Sequence, residues 1–232
     1  LGVDAMAKKK NKKKGKVLKV VLFLVLLVLI FYVIPCYLLD VRINNIYVKN
    51  NNVLTDQEII EMAHLEDYPN FYKTSISSIK KSIESNSFIK SCKVKKRLFN
   101  KVVIEIEEYK VLFIRLDTKK IVFENKSEID YDEEILDVPY LINYVPDTKY
   151  DTLVKKLNKI DDDVLKKISE IKYDPNKYDE DRFILYMDDD NYVYVTLPKF
   201  DVLNKYNEAV TKLEGKKGTL YLDSGNYFEI RK

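Results

Sequence analysis

The sequence predicts an α+β protein: a single transmembrane helix, then a β-α-α-β-β module, then a larger mixed, sheet-dominated domain. Three observations carry that prediction. An uncharged run of 20 residues extends from Val20 to Leu39, enough at ~1.5 Å rise per residue to cross a hydrocarbon core of ~30 Å. Helical spacing of apolar residues marks two short segments soon after it. Apolar-polar alternation then dominates a chain that holds 18 Tyr and 10 Phe but no Trp, a composition that favours strands.

The totals, 46% hydrophobic and 33% charged over 232 residues, suit a globular protein rather than a disordered one. The charge is unevenly placed. Residues 1–19 hold eight lysines (Lys8, Lys9, Lys10, Lys12, Lys13, Lys14, Lys16 and Lys19) and one acid, Asp4, and residues 40–232 keep 32 bases against 36 acids. The net +3 is therefore a tail of +7 joined to a body of −4, which excludes a basic body that binds nucleic acid. Lysines directly before an apolar span are retained in the cytoplasm, so residues 1–19 read as a cytoplasmic tail, 20–39 as an uncleaved anchor, and the body as extracytoplasmic. Met6 followed by Ala7 and the lysines looks like a natural start. Two cysteines exclude a disulfide scaffold, and one histidine, His64, argues against a His/Cys zinc site.

In the body, VRINNIYVK (41–49) reads as a strand broken by Asn50, Asn51 and Asn52. Thr55-Asp56-Gln57-Glu58 is a capping box that opens a helix containing Ile59, Ile60 and Ala63. Ile76, Ile79 and Ile83 share one face of a second helix that ends near Asn86. Cys92 and Val94, then Val102, Ile104 and Ile106, alternate with charged residues and form a hairpin through Leu98-Phe99-Asn100. Cys92 is accordingly a small core residue. A three-stranded sheet covered by two helices results.

Further strands follow in VLFIRL and KIVFEN between residues 111 and 131, and YLINY (140–144) adds another. Leu153, Leu157 and Ile160, then Val164, Ile168 and Ile171, predict two helical stretches. RFILYM and NYVYVTL flank Asp188-Asp189-Asp190 as a hairpin, and Pro198 stops the second strand. Phe200, Leu203, Tyr206, Val210 and Leu213 predict an amphipathic helix closed by Gly215. GTLYLD and NYFEIRK, split at Ser224-Gly225, form a last strand pair.

No phosphate loop, dinucleotide fingerprint, HExxH or nucleophile elbow is present, and His64, placed at the end of the first helix, has no partner for base catalysis. Asp161-Asp162-Asp163 and Asp188-Asp189-Asp190 offer oxygen ligands to a hard cation, but neither has calcium-loop spacing, and helix capping and turn formation account for both. Asn125-Lys126-Ser127 matches a glycosylation sequon, a frequent chance match. The residues point to a non-enzymatic protein with no cofactor, no metal and no small-molecule substrate, one that acts by binding.

From tail to last strand the chain resembles the FtsQ/DivIB family of bacterial cell-division proteins. The resemblance rests on the order of segments, on VRINNIYVKNNNVLTDQEII and SFIKSCKVKKRLFNKVVIEIEEYKVLFI, and on VPYLINY, LYMDDDNYVYVTLPKFDVLNKYNEAV and GTLYLDSGNYFEI. Cys92, Lys96-Arg97 and Tyr109-Lys110 depart from the family pattern in the first module, as do Thr219 and Tyr221 in the last strands. The resemblance implies a POTRA domain at 40–109 and a β domain at 110–232 with C-terminal partner-binding strands. It further implies a single-pass type II scaffold of the divisome at the septum, with the DivIB branch favoured by the Lys-, Asn- and Ile-rich composition. FtsL-like and FtsB/DivIC-like single-span proteins are the implied partners, with septal peptidoglycan synthases as further candidates and control of septal peptidoglycan synthesis as the role. The binding residues it implies are Leu222, Ser224, Gly225, Asn226, Tyr227, Phe228, Glu229, Ile230 and Arg231. Phe228 and Ile230 are expected to face inward, leaving Tyr227, Glu229 and Arg231 for side-chain specificity; an ordinary core strand is the competing reading. A membrane-anchored cell-wall enzyme and a POTRA-type assembly or translocation factor are the alternatives. The first lacks a nucleophile or metal cluster, the second a repeat of the module.

Overall fold

A computed structural model of the chain describes residues 17–34, 40–131 and 138–231. Residues 17–34 are helical, with Leu29–Val33 wound as a π-helix. Among the described residues no helix is long and apolar enough to cross a membrane. Lys8 to Lys16 of the expected tail and residues 35–39 of the expected span, with Cys36, lie outside the described residues. The chain divides into two compact units between Glu108 and Tyr109.

In the first unit, β1 (Asn45–Lys49), β2 (Ile89–Arg97) and β3 (Lys101–Glu108) form a sheet of order β1-β3-β2, β1 parallel and β2 antiparallel to β3. Helix α1 (Asp56–Met62) starts at the capping box: the Thr55 hydroxyl accepts from the Glu58 N–H at 3.3 Å, and the Glu58 carboxylate accepts from the Thr55 N–H at 2.7 Å. Helix α2 (Ile76–Glu84) is capped by Ser75 and buries Ile79 and Ile83, whereas Ile76, in its first turn, is exposed. Those isoleucines meet Ile59, Leu65, Cys92, Val102, Ile104 and Ile106 in one core. At roughly 25 cal/mol per Å² of apolar surface removed from water, this cluster is the main stabilising element of so small a unit.

The second unit is a nine-stranded sheet of order β12-β11-β10-β9-β8-β7-β4-β5-β6. Its strands are β4 (Val111–Arg115), β5 (Lys120–Phe123), β6 (Glu128–Asp130), β7 (Tyr140–Leu141), β8 (Ile168–Tyr173), β9 (Arg182–Met187), β10 (Tyr192–Thr196), β11 (Gly218–Tyr221) and β12 (Tyr227–Ile230). Helices α3 (Asp147–Leu157) and α4 (Asp162–Leu165) pack Leu153, Val154, Leu157, Val164 and Leu165 into its core.

Two sequence expectations need correction. The spacing of Val164, Ile168 and Ile171 predicts one helical stretch, yet only Val164 is helical and the two isoleucines lie in β8. A register shift between Ile168 and Glu170 inserts an extra residue, so residues three apart turn to the same buried side of a strand. The expected helix from Phe200 to Leu213 is instead a 3-10 helix (Leu197–Lys205) followed by α5 (Tyr206–Thr211). Leu197, Phe200, Leu203 and Tyr206 are all buried, and their strict spacing of three is the 3-10 period rather than the α period. This segment carries the chain over the sheet between the parallel strands β10 and β11, a pairing that cannot be closed by a tight turn.

Candidate partner-binding edge

Among the described residues β12 is the terminal strand of the sheet and pairs with β11 alone, in the antiparallel register Gly218↔Ile230, Thr219↔Glu229, Leu220↔Phe228 and Tyr221↔Tyr227. The Arg231 N–H donates to Lys217 O at 2.9 Å. Antiparallel ladders alternate between residues that bond the partner strand and residues that point away. Glu229 and Tyr227 therefore share the inward direction of Arg231, and the N–H and C=O groups of Phe228 and Ile230 point to the open side. Among the described residues no strand covers that side.

The edge is positioned from below by a buried polar cluster. Asn191, 1% exposed, opens toward β11, and its Oδ1 accepts the Gly218 N–H at 2.8 Å. Its Nδ2 donates to the Tyr206 hydroxyl at 3.2 Å, and that hydroxyl donates to Asp189 at 2.9 Å. Burial raises the Tyr206 phenol above its ordinary range, and the Asp189 carboxylate acts in the same direction. Asp190 takes a left-handed conformation (φ 65°) in the tight turn between β9 and β10. The aspartate triplet thus serves the hairpin and the start of β11.

On one face of the sheet the aromatic rings form a ladder. Tyr194 stacks on Tyr221 at 5.3 Å between centroids, and Tyr221 on Tyr227 at 4.7 Å. The Arg182 guanidinium, bonded to Asp174, caps the ladder over Tyr194 at 4.9 Å. The Tyr221 hydroxyl donates to Glu229 at 3.1 Å, and burial, then Glu229, raise its pKa. Arg231 lies over Tyr192 at 5.2 Å and donates to Asp190 O at 2.7 Å. Tyr227, Glu229 and Arg231 are therefore exposed but pre-ordered.

The opposite face holds one expected residue and releases another. Phe228 is half-buried, its ring lying over Gly218, where an added Cβ would approach Phe228 Cε1 at 2.8 Å. Ile230 is 49% exposed because its cross-strand neighbour is Gly218, which offers no side chain. The expectation that Phe228 and Ile230 both pack inward is corrected for Ile230. Leu222 is buried in the core, and its N–H donates to Tyr194 O at 2.7 Å. Ser224 bonds the Asp223 carboxylate in the β11–β12 turn, which also contains Gly225 and Asn226. Sequence reading missed Asn191, Tyr194, Tyr206 and Arg182; the two-residue spacing of Tyr192 and Tyr194, which sets both rings on one face of their strand, was the available signal.

Elsewhere, His64 sits past the end of α1 in a left-handed conformation, 3.4 Å from the Ser82 hydroxyl. Asp162 pairs with Lys110 at 2.6 Å, and Asp163 accepts from Asn207 at 2.6 Å. Among the described residues no group of three His, Cys, Asp or Glu is placed to hold a metal ion.

Residues 41–109 match the family model "POTRA domain, FtsQ-type". The cell division protein DivIB of Bacillus subtilis is 30% identical over 194 residues, covering 81% of this chain and 74% of that protein. DivIB of Listeria monocytogenes is 27% identical over 229 residues, 95% of this chain and 85% of that protein. The solved major extracytoplasmic domain of DivIB from Geobacillus stearothermophilus is 24% identical, with a TM-score of 0.39 over 47% of this chain and 96% of that one. With an FtsQ-type POTRA domain and a relative at 30% identity along most of its length, the chain belongs to the FtsQ/DivIB family of bacterial cell-division proteins.

Proposed function

We propose that this cell-division protein is a single-pass scaffold of the divisome, whose β12 edge receives an extended segment of an FtsL-like or FtsB/DivIC-like partner outside the membrane and thereby helps control septal peptidoglycan synthesis. The observation that carries this reading is the open edge. Phe228 and Ile230 offer two N–H donors and two C=O acceptors to an added strand, while Tyr227, Glu229 and Arg231 stand ready beside it. An edge left bare invites non-specific pairing, so a strand kept short, flanked by charge and pre-ordered by ring stacking suits selective capture.

The anchor and its orientation belong to the same proposal, with residues 1–19 in the cytoplasm, 20–39 spanning, a POTRA domain at 40–109 and a β domain at 110–232. Support comes from the absence of charge in 20–39 and from the outward-facing apolar side chains of the helical residues, such as Leu22 and Phe31. The protein then works by binding, with no catalytic step of its own.

The test exploits the direction of the Ile230 N–H. Ile230→Pro removes a donor on the open side without removing a β11 hydrogen bond, and Ile230→Thr keeps the donor while changing the side chain. Full-length protein carrying each change is used as bait on solubilised membranes, and captured proteins are identified by mass spectrometry. Loss of small single-span coiled-coil proteins with the proline variant alone supports edge pairing. Equal capture by both variants places the contact elsewhere, and no such protein with the unaltered bait removes the scaffold reading.

A further inference from the structure

The turn of the β2–β3 hairpin breaks three local rules at once. Leu98 and Phe99 are 82% and 78% exposed, although both are large and apolar. Phe99 and Asn100 adopt φ of 62° and 55°, a left-handed pair natural for asparagine and unfavourable for a bulky aromatic. At the base of the turn Arg97 and Lys101 lie directly opposite each other in register, and like charges in that position repel. Such departures cluster where a surface has work besides folding.

The charge around the turn is one-sided. Between Glu84 and Glu105 the sequence holds Lys90, Lys93, Lys95, Lys96, Arg97 and Lys101 and no acid. Lys95 and Lys90 are balanced by Glu105 and Glu107, and Lys96 is held by the carbonyls of Phe71 and Thr74. Arg97 and Lys101 form the cationic pair nearest the apolar tip. The adjoining loop brings the exposed Tyr68 and Tyr72 but also Glu66 and Asp67, so the cationic character belongs to the hairpin.

The turn and the loop at Phe71 are both tethered close in sequence to the apolar run. Asn100 O accepts the Asn44 N–H at 2.9 Å, and Val41 O accepts the Phe71 N–H at 2.7 Å. Val41 is two residues past Leu39 and Asn44 five, so at ~3.3–3.6 Å per residue these two anchoring points lie at most about 7 and 18 Å of chain from the end of that run. Head groups extend the bilayer some 5–8 Å beyond its hydrocarbon on each side.

We infer that the Leu98-Phe99 turn docks into the head-group layer of an anionic phospholipid membrane, with both apolar side chains entering it and Arg97 and Lys101 meeting lipid phosphates. This rests on the proposed span at residues 20–39. Exposed Leu and Phe side chains that can reach the acyl boundary, flanked by cations that can meet phosphates, match the chemistry of that layer. Docking there would hold the first unit against the membrane in a fixed attitude.

The chain has no tryptophan, so each of Phe31→Trp, Phe99→Trp and Tyr178→Trp gives the full-length protein a single reporter. Each variant is reconstituted in vesicles of phosphatidylglycerol and phosphatidylcholine containing brominated lipid, and quenching by bromine and by aqueous iodide is recorded. Expected are bromine quenching of Trp at 31 and at 99 with a blue-shifted emission, and iodide quenching at 178, where the native tyrosine is 85% exposed. Quenching at 99 should fall in pure phosphatidylcholine, in high salt, and when Arg97→Gln and Lys101→Gln are added. If position 31 is quenched by bromine while position 99 remains as open to iodide as 178, the docking is wrong and the span stands. Equal quenching at 99 without anionic lipid overturns the role of the cations. No bromine quenching at 31 removes the span and the docking with it.

Discussion

The side-chain oxygen of Asn191 accepts the backbone N–H of Gly218 at 2.8 Å, joining the turn after β9 to the first residue of β11. The parallel pairing of β10 with β11 begins only at Tyr192 and Thr219, and their connection runs through the 3-10 segment and α5, so this side-chain bond extends the junction by one residue. Tyr206, within that connection, donates to Asp189 and accepts from Asn191. One buried amide therefore fixes the hairpin, the crossover and the strand on which the open edge depends.

Replacing Asn191 with alanine leaves the buried Gly218 N–H without its acceptor and the Tyr206 hydroxyl without one of its two partners. Such a loss costs about 1–3 kcal/mol, read as a lower midpoint in chemical denaturation of the second unit. Tyr206→Phe should cost less, because it strands only the Asn191 amide donor, while the Gly218 N–H keeps its acceptor and Asp189 can turn to water. The double variant should fall short of the sum, since both changes break one network.

Gly218→Ala tests the edge itself. An added Cβ would lie 1.9 Å from the Glu229 carbonyl oxygen, which is backbone and can yield only if β12 moves away. Hydrogen exchange should accelerate at Glu229 and Arg231, whose N–H groups face β11, while the amides of β2 and β3 keep their protection. Partner capture should fall with it.

Much of the first unit is legible in the sequence because its signals are local. The Thr55 capping box, the Ile79 and Ile83 face and the alternation through Val102, Ile104 and Ile106 each specify their own structure. In the second unit the decisive facts are not local. A bulge in β8 gives Ile168 and Ile171 a helix-like spacing, and a 3-10 helix displaces the α-helix expected after Pro198. The last strand and the division of its two faces could be read from sequence, but the exposure of Ile230 and the ordering of Tyr227 could not. Ile230 is exposed because residue 218, twelve positions earlier, is glycine, and Tyr227 is ordered by Tyr221 and Tyr194 from two other strands.

Glu108, the last residue of β3, closes the first unit. Its carboxylate accepts the backbone N–H groups of Asn52 at 2.9 Å, Val53 at 2.8 Å and Leu54 at 3.0 Å, ordering the loop that leads into α1. Charge-assisted hydrogen bonds of this kind contribute about 1.5–3 kcal/mol. Glu108→Ala should lower the thermal midpoint of the first unit. Glu108→Gln, which keeps a single acceptor oxygen, should fall between the two.

Cys92 is 1% exposed in the first core, and burial, then the nearby Glu84 carboxylate, pushes its thiol from 9.0 up to about 11. The folded state thus holds the thiol proton more tightly than the unfolded chain. The stability this represents is present in full below pH 9 and is lost as pH rises from 9 toward about 11. Tyrosines and lysines titrate in the same window, so the comparison is with Cys92→Ala. The stability advantage of the native residue over alanine should shrink steadily across that window in denaturant titrations. In a Cys36→Ser background, where Cys92 is the remaining thiol, a disulfide reagent near pH 8 should label no site on the folded protein and one after unfolding. Rapid labelling of the native state would show that the thiol is open to solvent and ionises freely.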